Sequence, residues 1–199
     1  MLRIALTGPS GGGKGYISAL LRERGVPCLD TDAVVHALYG EPAFAASLSA
    51  LLGEDLAGKD GAVDRKKLGR IVFTDAVKMK ALQDAVYPAV RAKCGEFLEA
   101  REKEGAKAAA IDAPQLFEAG MEGDYDLIVA VCAPKAVRLK RVTGRDGVTK
   151  EEALLRFSRQ MSCAEYRRRA HHTLNNDGKR DPAKALDKIL ARAGFYGKE

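Results

Sequence analysis

Leu2-Arg3-Ile4-Ala5-Leu6-Thr7-Gly8-Pro9-Ser10-Gly11-Gly12-Gly13-Lys14-Gly15-Tyr16-Ile17 is the stretch on which the reading of this chain turns. Leu2 to Thr7 is a short, continuous apolar run, as strands are when a parallel sheet buries both of their faces. Gly8 to Lys14 then fits the pattern GxxxxGK, and a helical pattern opens directly behind it with Ile17, Leu20 and Leu21. A phosphate chain needs backbone N–H groups that approach closely. Glycines permit that approach because they lack a Cβ, and a helix amino terminus adds partial positive charge. Lys14 is placed to reach the terminal phosphates as a point charge. A plain glycine-rich turn would leave the agreement of motif, strand and helix unexplained.

The same alternation continues outward. Val26–Leu29, Ala108–Asp112 and Leu127–Val131 are further short apolar runs, with a weaker one near Thr173-Leu174. Helical patterns separate them, for example Pro134 through Val142 with Val137, Leu139 and Val142 on one side. Alternating strands and helices predict an α/β architecture. Between residues 41 and 104 no strand candidate interrupts a stretch that reads as helices broken at Gly53, Gly58, Gly61 and Pro88, a helical insertion. Thr149-Lys150-Glu151-Glu152 is a capping box opening another helix. Asp181-Pro182 supplies an N-cap and an N1 proline for a closing helix carrying Leu186, Ile189 and Leu190. The 199 residues fit one domain with room for one insertion.

Composition excludes several classes. With 46% hydrophobic and 30% charged residues, the chain is neither disordered nor fibrous. Its net charge of +6 is local, since residues 138 to 169 hold ten bases against four acids. Such a cluster suits a phosphate-handling site better than a nucleic-acid-coating surface, and no aromatic-interleaved basic tract accompanies it. Cys28, Cys94, Cys132 and Cys163 lie far apart, without CxxC or paired-histidine spacing, so free thiols in a reducing compartment are expected. The apolar run after Met1 is too short for a signal peptide and none approaches a membrane span. The expectation is a cytoplasmic protein with no nucleic-acid or membrane partner.

The loop departs from the usual pattern where a hydroxyl normally follows the lysine to ligate Mg²⁺, because Gly15 stands there with Tyr16 beyond it. No direct metal ligand therefore comes from the loop. Adenylate kinases resemble this sequence in having glycine at that position, with the metal held largely through water. The second strand run leads into Asp30-Thr31-Asp32, at the strand end where ligands of open α/β sheets sit. One carboxylate could take a substrate hydroxyl proton and the other could hold the water shell of the metal. Either could instead cap the helix running through Val35 and Leu38. Arg141, Arg145 and Arg156 are candidates to stabilise charge on a transferring phosphoryl group, against the alternative of a solvated basic helix face. Arg167-Arg168-Arg169 reads as solvated surface.

Taken together, the landmarks resemble the dephospho-coenzyme A kinase family over nearly the whole chain. They are Leu6-Thr7-Gly8 into the loop, Asp30-Thr31-Asp32, and Gly61-Ala62-Val63-Asp64-Arg65 with Leu68 and Val72-Phe73. Asp112-Ala113-Pro114-Gln115-Leu116-Phe117-Glu118, Arg141 with Arg145-Asp146-Gly147-Val148-Thr149, Gln160 and Asn176-Asp177-Gly178 follow in order. The resemblance implies a three-layer P-loop kinase fold with a parallel central sheet, a helical substrate-binding insertion at about 41–104 and a helical lid at about 138–163. It implies phosphorylation of the ribose 3′-hydroxyl of dephospho-CoA by ATP with Mg²⁺. In that reading ATP is bound by Gly8, Gly11, Gly12, Gly13, Lys14, Gly15 and Tyr16, and the substrate by Asp30, Asp32 and Arg65. Lys14, Asp32, Arg141 and Arg145 are the catalytic set, with Asp32 the base and Asp30 or Asp32 reaching the metal through water. The rivals are another small-molecule or nucleoside-monophosphate kinase and a nucleotide-binding relative without turnover. The chain departs from the family at Gly15 and Tyr16 for Ser-Thr, Tyr87 for the histidine of a His-Pro pair, Gln115 for leucine, Arg138 for glutamine and His171 for aspartate. Tyr87 and His171 read as packing or surface drift, and Arg138 as a further cation near the phosphates. The oligomeric state is not legible.

Overall fold

In the computed structural model, which describes residues 1–196, the opening run forms β1 (Leu2–Thr7) at the centre of a five-stranded sheet. β2 (Cys28–Asp30), β3 (Ala108–Asp112), β4 (Leu127–Cys132) and β5 (His172–Asn175) complete it in the order β2-β3-β1-β4-β5. The pairs β1 with β3, β1 with β4, and β4 with β5 run parallel. Every residue of β3 and β4 is buried, the expected consequence of an apolar run with no polar alternation. Alternate side chains of the central strands, among them Ile4, Leu6, Ala110, Val129 and Val131, form one core with Ile17 and Leu21 of α1 (Lys14–Glu23) and with Leu186 and Leu190 of α9 (Pro182–Arg192).

The second strand starts two residues later than the run Val26–Leu29 suggests. Val26 is fully buried, but Pro27 has no N–H to give to a ladder, and only its carbonyl takes part, accepting from Ala110 N at 2.8 Å. Pairing as a strand thus begins at Cys28. The weak signal near Thr173-Leu174 is β5. His171 sits at its entrance, where backbone bonds with Ile128 are joined by Ile128 N donating to His171 Nδ1 at 3.1 Å. That is a sheet-edge packing role.

The chain divides into two compact units, one of Met1–Leu29 with the residues from Phe97 onward and one of Asp30–Glu96. The second contains α2 (Thr31–Gly40), α3 (Pro42–Leu52), α4 (Arg65–Val72) and the greater part of α5 (Ala76–Lys103). Its limits lie earlier than the 41–104 expected, because α2 belongs to it. Gly53 ends α3 at φ 66, and Gly61 turns the loop behind the Ala57–Val63 bridge at φ 78. Pro88, in contrast, breaks nothing. α5 continues through it for 28 residues. An interior proline costs on the order of 3 kcal/mol, and the buried row Leu82, Val86, Val90, Cys94 and Leu98 on either side of it carries the helix across.

The basic segment of the chain forms α6 (Lys135–Asp146), α7 (Lys150–Ser158) and α8 (Cys163–Arg169). α7 and α8 both open on complete capping boxes, Thr149 with Glu152 and Ser162 with Glu165. No helix among the described residues is long and apolar enough to cross a membrane. Thr149→Ala removes the acceptor for Glu152 N and is expected to lower unfolding free energy by about 1 kcal/mol. The check is a shifted urea midpoint at an unchanged slope.

Candidate active site

The loop between β1 and α1 is shaped by glycine at three left-handed positions, Gly8 at φ 131, Gly11 at φ 76 and Gly13 at φ 99. Close approach demands the residue type as well. A Cβ on Gly8 or Gly12 would overlap the Val131 carbonyl oxygen, one on Gly13 would overlap the Asn176 amide nitrogen, and one on Gly11 would lie 2.7 Å from the Arg138 carbonyl oxygen. Gly13 is the N-cap of α1 and brings no side chain, so the first helical N–H groups receive no side-chain cap. Lys14 crosses the loop and donates from Nζ to the Gly8 carbonyl at 3.0 Å. Gly15 has ordinary backbone angles and open space where a Cβ would stand, while Tyr16 is exposed.

Three side chains from the later part of the chain hold this loop. Arg138 is buried, donates from Nε to the Ser10 carbonyl at 2.8 Å and lies 4.1 Å above the Phe157 ring. Arg141 donates from Nη1 to the Gly11 and Gly12 carbonyls at 3.2 and 3.3 Å and from Nη2 to Asn176 Oδ1 at 3.3 Å. Gln160 accepts from Ser10 N at 3.1 Å and donates to Ser10 Oγ at 2.8 Å. A loop that turns its N–H groups to one side leaves carbonyls on the other, and the fixed fork of arginine matches them. Arg138 is thus engaged with the loop backbone and with an aromatic ring.

Gln160 and Asn176 are no more than landmarks in the sequence, and nothing in their local pattern discloses that they touch the loop. Sequence separations of 150 between Ser10 and Gln160 and 35 between Arg141 and Asn176 explain why.

Beside the loop a cavity of about 750 Å³ opens, lined among others by Pro134, Arg138, Phe157, Gln160, Cys163 and Arg167. It combines an aromatic and aliphatic wall with cations, which suits a flat base carrying a polyanionic tail. On another side of α1, Ser18 Oγ donates to Asp112 Oδ2 at 3.1 Å, both groups buried. Asp112 ends β3 in register with Leu6 of β1, two residues before the loop begins. This pair is not among the candidates named from the sequence, although a carboxylate ending a strand next to the loop strand is a recognisable signal.

Arg145 and Arg156 both turn to Asp146, with Arg145 Nε at 2.6 Å and Arg156 Nη1 at 2.5 Å, and the Arg145 side chain is 67% exposed. Hydrogen bonds from Arg145 and then Arg156 hold the Asp146 carboxyl at about 2. The adjoining triplet Arg167-Arg168-Arg169 is exposed, as expected, with two of its members paired at the surface. Arg167 donates to Asn175 Oδ1 at 2.9 Å, and Arg169 pairs with Glu122 at 2.6 Å while stacking on Phe117 at 4.2 Å. In the helical unit, Asp30 Oδ1 accepts from Asp32 N at 2.9 Å, so Asp30 caps α2 and Asp32 is exposed in the first turn. Arg65 Nη1 meets His36 Nε2 at 2.7 Å. The loop residues, Lys14 and Arg141 are therefore gathered in one place, Arg145 faces Asp146, and Asp30, Asp32 and Arg65 belong to the helical unit.

A loop of this geometry serves many phosphotransferases, and comparison with known proteins narrows the choice. The family model described as dephospho-CoA kinase matches residues 2–181. The chain belongs to the dephospho-CoA kinase family. A dephospho-CoA kinase of Symbiobacterium thermophilum is 38% identical over 98% of this chain and 82% of its own length. One from Rhodopseudomonas palustris is 39% identical over 92% and 91%. A solved structure from Thermus thermophilus superposes with a TM-score of 0.83 at 36% identity, covering 96% of this chain and 97% of its own. A shikimate kinase from Acinetobacter baumannii shares the fold, at a TM-score of 0.50 and 15% identity over 97% and 92%. The protein is a kinase with the P-loop fold of this family.

Because Arg141 contacts loop carbonyls, Arg141→Ala is expected to weaken ATP binding about tenfold while the protein stays folded. Arg141→Lys should recover only part of this, since an ammonium cannot span two carbonyls and an amide as a fork does. Calorimetric titration with ATP on both variants checks it.

Proposed function

We propose that this kinase transfers the γ-phosphoryl group of ATP to the ribose 3′-hydroxyl of dephospho-CoA, releasing CoA and ADP. The observation that carries the reading is the bare-backbone cradle of Gly8 to Lys14, braced by Arg138, Arg141 and Gln160, in a chain matched by the family model from end to end of that machinery. The cavity beside the cradle takes the nucleotide base, with its phosphates running onto the loop N–H groups and Lys14.

Phosphoryl transfer spreads negative charge over the moving group, and the protein contributes by positioning and by fixed positive charge in a dry site. Lys14 and the amides at the start of α1 provide that charge from the loop. Arg145 supplies more from the lid, where Asp146 holds its guanidinium. Asp32, at the start of the helix that follows β2, accepts the proton of the attacking hydroxyl, and Arg65 with Asp30 belongs to the substrate-binding side.

The chemistry of the donors present fits Mg²⁺, which prefers hard oxygen ligands and keeps several waters. Gly15 offers no side-chain oxygen, whereas the Asp112 carboxylate, fixed by Ser18, stands beside the loop strand. Asp112 would hold the ion through its water shell. When bound, the ion neutralises charge on the β- and γ-phosphates.

In a coupled ADP-release assay, dephospho-CoA should stimulate turnover far more than AMP, CMP or free nucleosides, and equal stimulation by AMP would overturn the assignment. Asp32→Asn keeps shape and removes the proton acceptor. Turnover should fall on the order of a hundredfold with ATP binding retained. Turnover within a few fold of the parent would return Asp32 to the first turn of α2 as a helix-stabilising residue.

A further inference from the structure

Two of the four cysteines, distant in sequence, meet in the wall of the cavity beside the loop. Cys132 is the last residue of β4 and Cys163 the first of α8. Cys132 Sγ lies 3.9 Å from the Cys163 carbonyl oxygen, and Cys163 Sγ lies 3.9 Å from the Ala133 carbonyl oxygen. Each sulfur therefore reaches across to the other cysteine's segment. They differ in access. Cys163 lines the cavity and is half-buried, while Cys132 is fully buried behind it.

We propose that Cys163 and Cys132 form a dithiol modification site, in which Cys163 is attacked first from the cavity by a low-molecular-weight disulfide and Cys132 resolves the adduct. The surroundings favour this order. A hydrogen bond from Cys132 and the nearby Arg138 guanidinium lower the Cys163 thiol, whereas the same pairing and burial raise Cys132. A thiolate is the reactive form of cysteine, so Cys163, lowered and open to the cavity, is the nucleophile and the buried Cys132 the reserve. Neither remaining cysteine competes, since burial pushes Cys28 up to about 11 and Cys94 is closed off in the buried row of α5.

The chemistry balances without a further oxidant. The Cys163 thiolate attacks one sulfur of RSSR, the new S–S bond forms as the old one breaks, and RS⁻ leaves. Cys132 then attacks the Cys163 sulfur, its proton passes to the second departing RS⁻, and an internal disulfide remains. Two electrons move from the dithiol to RSSR. The functional consequence rests on the reading that this cavity takes the nucleotide base. An adduct on Cys163 occupies that space. Cys132 also directly follows Val131, whose carbonyl packs against Gly8 and Gly12, so the internal bond acts next to the loop itself.

The probe is oxidised glutathione, added to the folded protein at pH 7 with iodoacetamide trapping and intact-mass readout. Wild type should lose two alkylatable thiols, reversibly with dithiothreitol. Cys132→Ser should stop at one glutathione adduct, mapped by peptide digestion to Cys163. Cys163→Ser should react about tenfold more slowly or less, as expected when the thiolate is removed. Thermal melts confirm that each variant is folded, and Cys132→Ala serves if the serine variant is not. MgATP should slow the wild-type reaction. Adducts on Cys28 or Cys94, or an unchanged rate in Cys163→Ser, would overturn the site. Equal rates with and without MgATP would overturn the competition with nucleotide, while the ADP-release assay with dephospho-CoA tests the activity independently.

Discussion

Backbone can hold a phosphate chain only where it is bare, and in this molecule the bare segment is pressed against other backbone. The Val131 carbonyl lies where a Cβ of Gly8 or Gly12 would be, and the Arg138 carbonyl lies close to where one of Gly11 would be. β4 must therefore sit beside β1, and α6 must start at the loop, for the cradle to have its shape. The sheet order supplies the first condition, and the short link Ala133-Pro134 supplies the second. A side chain on Gly8 or Gly12 would press on β4 and one on Gly11 on the first turn of α6, and interiors of this density do not yield.

The same constraint explains where the local excess of positive charge is placed. A cradle whose N–H groups point one way exposes carbonyl oxygens on its back, and those need donors when buried. Arg138 and Arg141 meet that need with five-donor planar groups, and Gln160 matches both the N–H and the hydroxyl of Ser10. Arg145 and Arg156 share Asp146, and Arg169 divides between Glu122 and the Phe117 ring. Within a segment that looks from its composition like a phosphate-binding surface, Arg138 and Arg141 serve as scaffold for the loop, while most of the other bases are exposed. Lys14, by contrast, is held within the loop by the Gly8 carbonyl, a contact that a phosphate oxygen can replace.

Ser18 and Asp112 bear on the departure at Gly15. With no hydroxyl directly after the lysine, the nearest buried one on α1 is a turn further along, and it is bonded to the carboxylate at the end of β3. Burial of a charged carboxylate needs such a donor. The helix and the strand are thereby tied together on the side of the loop away from Arg138 and Arg141.

Local patterns in the sequence determined the elements and the loop. Leu2–Thr7, Ala108–Asp112 and the capping boxes at Thr149 and Ser162 act over a few residues, and GxxxxGK between strand and helix specifies its own geometry. Of the boundaries that differ from expectation, Pro27 delays β2 locally through its missing N–H, whereas Pro88 is overridden by the tertiary burial of the row on α5. Tertiary structure decided which side chains meet. Arg138, Arg141, Gln160 and Asn176 reach the loop, and Cys132 reaches Cys163, because β4 pairs with β1 and β5 pairs with β4. Asp30 and Asp32 look equivalent in the sequence, yet the helix start makes one the cap and leaves the other exposed. The contacts on the loop depend on strand order and on the approach of segments more than a hundred residues apart, and hydrophobic periodicity carries no information about either.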